Sequence, residues 1–180
     1  MVLNLMVLNM MTRISVILSV MVWFVMAMAS PGWSVEVGEP LPEFAIQTFD
    51  GNKASRATLE GKAALVIFWN TWCPNCMKEL PEINRLAEKL GPRGLEVLAV
   101  NTAFNDSENK ARAYWKKYGY VFPVGFDHDF EVGQAFGVRG VPTIFLIDSK
   151  GVVRYKHTLI PEDMEERFKQ LTGDEPGTGP

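Results

Sequence analysis

Both cysteines of the chain fall in one short stretch, Asn70–Pro81, "NTWCPNCMKELP", with Pro74 and Asn75 between Cys73 and Cys76. Two thiols at this spacing can serve as a clamp, a metal site or a reaction centre. As a clamp they return little, because a disulfide across so short a loop stabilises by only about 2 kcal/mol in the chain-entropy picture. As a metal site they lack partners: the only histidines are His128 and His157, far apart in sequence, whereas zinc sites show paired ligand spacings. No metal is expected. The reaction-centre reading has a mechanism. Pro74 cannot donate a backbone N–H and favours the first helical position, which makes Cys73 the N-cap. Its sulfur then faces the free N–H groups of Asn75 and Cys76 and the positive end of the helix dipole. Both favour thiolate over thiol, giving a nucleophile at neutral pH. Cys76, one turn further in, is placed to attack a mixed disulfide on Cys73. Cys73 attacks and Cys76 resolves.

The elements that must hold this pair can be read from the periodicity. "EFAIQTFDG" alternates apolar and polar before the Asp50-Gly51 turn signal, and "AALVIFWN" is a continuous apolar run, a strand buried on both faces. After the cysteines, Cys76, Leu80, Ile83, Ala87 and Leu90 recur at helical spacing until Gly91–Gly94. A second buried strand, Leu95–Asn101, leads to a polar helix over 106–118, with Ala113 and Tyr114 facing inward. "FPVGFD" is a short strand or loop, and 129–138 holds a short helix. Strand 142–148, a turn at Ser149-Lys150-Gly151, its partner "VVRYKHTL" and a helix over 161–171 complete the order. Strands alternating with helices, then a hairpin, imply an α/β fold: a mixed central sheet with helices on both faces and an N-terminal β-hairpin extension.

The 180 residues are 47% hydrophobic and 22% charged, enough for one globular core, and the net charge of −3 with no basic block gives no sign of nucleic-acid binding. The N-terminus differs in kind. Arg13 precedes an uncharged run from Ile14 to Val35, and Ala27-Met28-Ala29 supplies a small-x-small site. This reads as a secretory signal cleaved after Ala29, or as an uncleaved anchor, since the run exceeds the roughly 18 residues that qualify as a membrane span. Either fate exports the domain and takes the cysteines out of the reducing cytosol, to the periplasm or another extracytoplasmic space. The expected organisation is a signal peptide or membrane anchor over 1–29, a linker over 30–36, one domain over 37–171, and a disordered Gly/Pro-rich tail over 172–180.

"PEFAIQTFDG", "LEGKAALVIFWNTWCPNCMKELP" and "GVPTIFLIDSKG", in that order, resemble the thioredoxin superfamily, and specifically its exported TlpA/ResA-like branch, which includes the cytochrome c maturation thioredoxins. The resemblance spans about 37–171. It implies a thioredoxin-like fold and a thiol–disulfide oxidoreductase whose redox group is the Cys73/Cys76 pair, with no cofactor. It also implies that Pro142 is a cis-proline beside the cysteines. Val141 would then offer backbone hydrogen bonds to an extended substrate, and Trp72 and Pro74 would complete the substrate-binding surface. Trp72 has an alternative as plain core packing. One departure stands out: the best-known thioredoxins carry a buried aspartate six residues before the first cysteine, where this chain has Ile67. Glu79, three residues after Cys76 and recurrent in the ResA-like branch, is the candidate proton acceptor, with a raised pKa if its pocket is apolar. The implied partners are protein disulfides such as that of apocytochrome c and a membrane thiol–disulfide electron donor; a monomer is the default. Alternatives are a disulfide-forming oxidase, a peroxidase (weaker, for want of the Thr and Arg that surround a peroxidatic cysteine), and a binding module with a structural disulfide.

Overall fold

The computed structural model describes residues 34–172, together with Arg13, Ser15 and Met21. The chain divides into two units, Met1–Gly32 and Trp33–Pro180. The expected cleavage after Ala29, the anchor and the tail beyond Thr172 lie outside the described residues. Among the described residues no helix is long and apolar enough to cross a membrane.

The centre of the domain is β3 (Ala63–Trp69), buried at every position as its unbroken apolar run requires. It pairs in parallel with β4 (Leu95–Asn101) and antiparallel with β6 (Thr143–Ile147). With β5 (Val124–Phe126) and β7 (Val153–His157) at the edges, the order is β5-β4-β3-β6-β7. Alternation along β3 builds two apolar layers. Leu65, Ile67 and Trp69 face α2 (Pro74–Leu90), α3 (Glu108–Tyr118) and α5 (Met164–Thr172). Ala64, Val66 and Phe68 face the short α4 (Glu131–Ala135) and the N-terminal ribbon β1 (Ala45–Gln47) and β2 (Lys53–Ser55). The sheet is therefore mixed and helix-covered on both faces, with the expected β-hairpin in front. Ile46 of that hairpin presses so closely on β5 that a Cβ on Gly125 would lie 2.5 Å from its Cδ1.

Four details differ from expectation. A one-turn helix, α1 (Arg56–Leu59), follows β2, because Ser55 and Thr58 cap it reciprocally; a threonine here does the work usually signalled by Glu or Gln. In α3 the N-cap is Ser107, so Ala111 is the buried residue, Tyr114 and Trp115 are half-buried one turn on, and Ala113 is exposed. The last helix begins at Met164, after a turn in which the Met164 N–H donates to the Pro161 carbonyl. At the front of the domain, Val35 is buried and Lys156 bonds both Ser34 and Glu36, so packing begins ahead of Val37.

Candidate active site

The parallel β3–β4 pair delivers two β-to-α loops to the same edge of the sheet, and the site is built where they meet. After Trp69 the chain passes through Asn70-Thr71-Trp72 and enters α2 at Cys73, whose extended backbone (φ −90°, ψ 105°) is that of an N-cap. Pro74 occupies the first helical position, and the Cys76 N–H donates to the Cys73 Sγ at 3.1 Å. The first turn carries no acidic residue, so no carboxylate of α2 itself offsets the positive helix end. The two sulfurs are joined as a disulfide, with their Cα atoms 5.3 Å apart. Access is unequal: Cys73 is 4% exposed and Cys76 0%, sunk among Leu80, Ile83 and Ile67.

A second side of the site comes from the loop before β6. The Val141–Pro142 peptide is cis, and Val141 packs against the apolar cluster that contains both cysteines. Neither its N–H nor its C=O has a hydrogen-bond partner among the described residues. Trp72 is 49% exposed, which overturns core packing as its role. Its indole N–H donates to the Phe104 carbonyl at 2.8 Å, and the two rings meet edge to face. Trp72, the residue before Cys73, lines a groove of about 590 Å³ together with Ala103, Phe104, Phe130 and Val141 and with the polar His128, Asp129 and Arg139.

Behind the groove lies a polar network that sequence reasoning missed. The Asp106 carboxylate accepts from the Thr71 N–H at 2.6 Å, the Thr71 hydroxyl at 2.7 Å, the Asn101 amide at 2.8 Å and the Ser107 N–H at 2.9 Å. Buried Asn70 donates to Asn101 and accepts from Thr102, so both loops are knit together. Burial alone would raise the pKa of Asp106, but the bonds from Asn101, Thr71 and Ser107 outweigh it and hold the carboxyl below its ordinary range. Asp106 is thus an ionised brace rather than a proton carrier. Its only sequence signal is the spacing to Asn101 at the end of a buried strand.

Glu79 lies three residues along α2 from Cys76, half-buried, and its carboxylate accepts from the Ile160 N–H at 2.9 Å. The groove it lines is polar, walled by Lys78, Glu82, Arg85 and Glu165, not the apolar pocket that sequence reading allowed for. Ile67 is fully buried in the cysteine cluster and supplies no titratable group there. Of the histidines, His128 pairs with Glu108 at 3.2 Å and His157 accepts from the Leu159 N–H.

A disulfide at a helix tip, with one sulfur near the surface and an unpaired backbone edge beside it, is suited to exchange with another disulfide. The sheet that carries it is thioredoxin-like, and the protein is a thiol–disulfide oxidoreductase. Residues 37–156 match the AhpC/TSA family, and the chain belongs to that family. It is 33% identical over 140 residues to the thiol-disulfide oxidoreductase ResA of Bacillus thuringiensis subsp. konkukian, covering 77% of this chain and 80% of that one. It is 32% identical to the thioredoxin-like protein YneN of Bacillus subtilis, over 74% of this chain and 79% of the relative. Among solved structures, a Chlorobium tepidum protein assigned as the thiol:disulfide interchange protein DsbE is 30% identical with a TM-score of 0.67, covering 78% of this chain and 98% of the other. A Neisseria meningitidis protein assigned as a thioredoxin is 32% identical with a TM-score of 0.69, covering 80% and 96%.

Proposed function

We propose that this protein is an exported reductant of protein disulfides, with apocytochrome c among its substrates and a membrane thiol–disulfide protein as its electron donor. The observation that carries the division of labour is the asymmetry of the pair: Cys73 is the N-cap of α2 and keeps a small exposed fraction, while Cys76, inside the helix, is fully buried. In the reduced protein the Cys73 thiolate attacks a substrate sulfur. A bond forms between Cys73 and that cysteine, and the second substrate cysteine leaves as a thiolate that takes up a proton. Cys76, having given its proton to Glu79, then attacks the Cys73 Sγ. The mixed disulfide breaks, the first substrate cysteine leaves and is protonated in turn, and the Cys73–Cys76 disulfide remains. Two electrons have passed to the substrate, and the dithiol is the only redox group required. Trp72, Pro74, Val141 and Pro142 form the docking surface, with the free backbone of Val141 pairing an extended substrate.

Export is supported by Arg13 and the uncharged run from Ile14 to Val35, which act as a cleaved signal or a tether for a domain over 37–171. The likeness to ResA supports thiol–disulfide exchange, and the reducing direction is supported by the apolar enclosure of Cys76, which favours the neutral buried disulfide. A Cys76→Ser variant, expressed in the native host, should hold substrates as mixed disulfides on Cys73 that mass spectrometry can identify. The potential of the pair should lie near the about −270 mV of thioredoxin; a value near −120 mV, that of a strong oxidant, would reverse the direction. No trapped protein, together with equal insulin reduction by wild type and Cys73→Ser, would leave a binding module.

A further inference from the structure

The described residues include three non-glycine residues with positive φ: Ala103 at 59°, Asn105 at 49° and Phe130 at 58°. All three border one place. Ala103 and Phe130 line the groove that Trp72 also lines, and Asn105 follows the groove residue Phe104. Asparagine tolerates this conformation, but alanine and phenylalanine do not adopt it without a steric cost. Backbone strain held in place by surrounding structure is a mark of functional loops, and the holding groups are visible. The Ala103 N–H donates to the Asn101 side chain at 3.0 Å, the Asp106 N–H to the Ala103 carbonyl at 3.2 Å, and the Trp72 indole to the Phe104 carbonyl at 2.8 Å. What this framework secures is the placement of a phenylalanine 65% exposed, in edge contact with a tryptophan 49% exposed, next to the reactive cysteine.

We propose that Phe104 is a specificity-determining residue: with Trp72 it forms an aromatic wall that selects protein disulfides whose cysteines are flanked by a bulky apolar side chain. This rests on the disulfide-reductase reading and narrows its substrate class. The occupant is the extended segment around the attacked disulfide. The groove is lined by Trp72, the residue that precedes Cys73, and also by Val138 and Val141, the latter with both backbone groups free among the described residues. A substrate strand paired to Val141 sends alternate side chains to opposite sides, so a residue next to the attacked cysteine can reach the rings. The lining also carries Asp129, Arg139 and a His128 paired with Glu108, so what the groove offers a bulky apolar side chain is its aromatic and aliphatic members, Trp72, Phe104, Phe130, Val138 and Val141. Apolar burial against two rings is the interaction the wall offers.

The test uses the reduced full-length domain and three probes: two disulfide-cyclised peptides, identical except for Phe or Ser beside each cysteine, and bis(2-hydroxyethyl) disulfide. Oxidation of the protein is followed by tryptophan fluorescence in stopped flow. Wild type should react with the Phe peptide at least about fivefold faster than with the Ser peptide, a discrimination of the size expected for aromatic contacts. Phe104→Ser should erase that ratio by slowing the Phe peptide several-fold more than the small disulfide, and Phe104→Tyr should restore it. An intact ratio in Phe104→Ser, or an equal loss across all three probes, would overturn the assignment. Wild type inert toward all three would overturn the reductase reading and the assignment with it.

Discussion

Cys76 is completely buried, so the proton it must lose before resolving a mixed disulfide needs a protein group to receive it. Glu79, one turn along α2, is the carboxylate we propose for that task, and Ile67 stands where the best-known thioredoxins keep an aspartate. Glu79→Gln keeps an oxygen for the Ile160 N–H, so the fold should persist while the base is lost. Reduction of insulin should slow by about 10²-fold, the low end of general-base effects. Equal rates for variant and wild type across pH 5–9 would remove Glu79 from the mechanism. The placement of the cysteines was legible from sequence because Pro74 and the strand–helix junction fix Cys73 as the N-cap locally. The placement of Phe104 and Asp106 was not: they stand about 30 residues from Cys73, and the pairing of β3 with β4 brings their loops together.

At the scale of elements, Asp106 ties the loop that enters α2 to the loop that enters α3. Its two oxygens take four donors, and an asparagine offers one oxygen and turns an N–H₂ toward the rest. Asp106→Asn should cost about 2 kcal/mol in urea unfolding, the scale of charge-assisted bonds at a half-buried site. The sign with pH follows from the lowered pKa: the stabilisation is fully present above the unfolded value near about 3.9 and is lost as pH falls through the lower folded value. The gap between variant and wild type should therefore be wide at pH 7 and narrow in strong acid; a gap independent of pH would assign the loss to packing. The same scale shows where periodicity misleads. The buried strands and α2 carry strong patterns and were read correctly. In α3, with one fully buried position, the phase rested on the N-cap: Ser107 starts the helix and turns Ala111 inward in place of Ala113.

For the whole molecule, the direction of electron flow is also a statement about stability. Folding, unfolding, oxidation and reduction close a thermodynamic cycle, so the difference in stability between oxidised and reduced protein equals the difference in disulfide free energy between folded and unfolded chain. In the unfolded chain the pair is joined across a short loop whose closure is worth only about 2 kcal/mol. In the folded chain two effects oppose each other. The helix N-terminus and the Cys76 N–H favour a Cys73 thiolate, which stabilises the reduced form and makes an oxidant. The apolar layer around Cys76, built from β3 and α2, favours a neutral buried disulfide, which makes a reductant. Among the described residues one N–H bonds the Cys73 sulfur, whereas Cys76 is fully buried in the apolar cluster. The oxidised protein should therefore be the more stable in urea, by about 1.4 kcal/mol for every 30 mV that the folded pair lies below the unfolded one. Unfolding curves of the oxidised protein and of the protein held in dithiothreitol measure this directly. A reduced form that outlasts the oxidised one would show that thiolate stabilisation dominates, and the same Cys73/Cys76 pair would then run as a disulfide-forming oxidase.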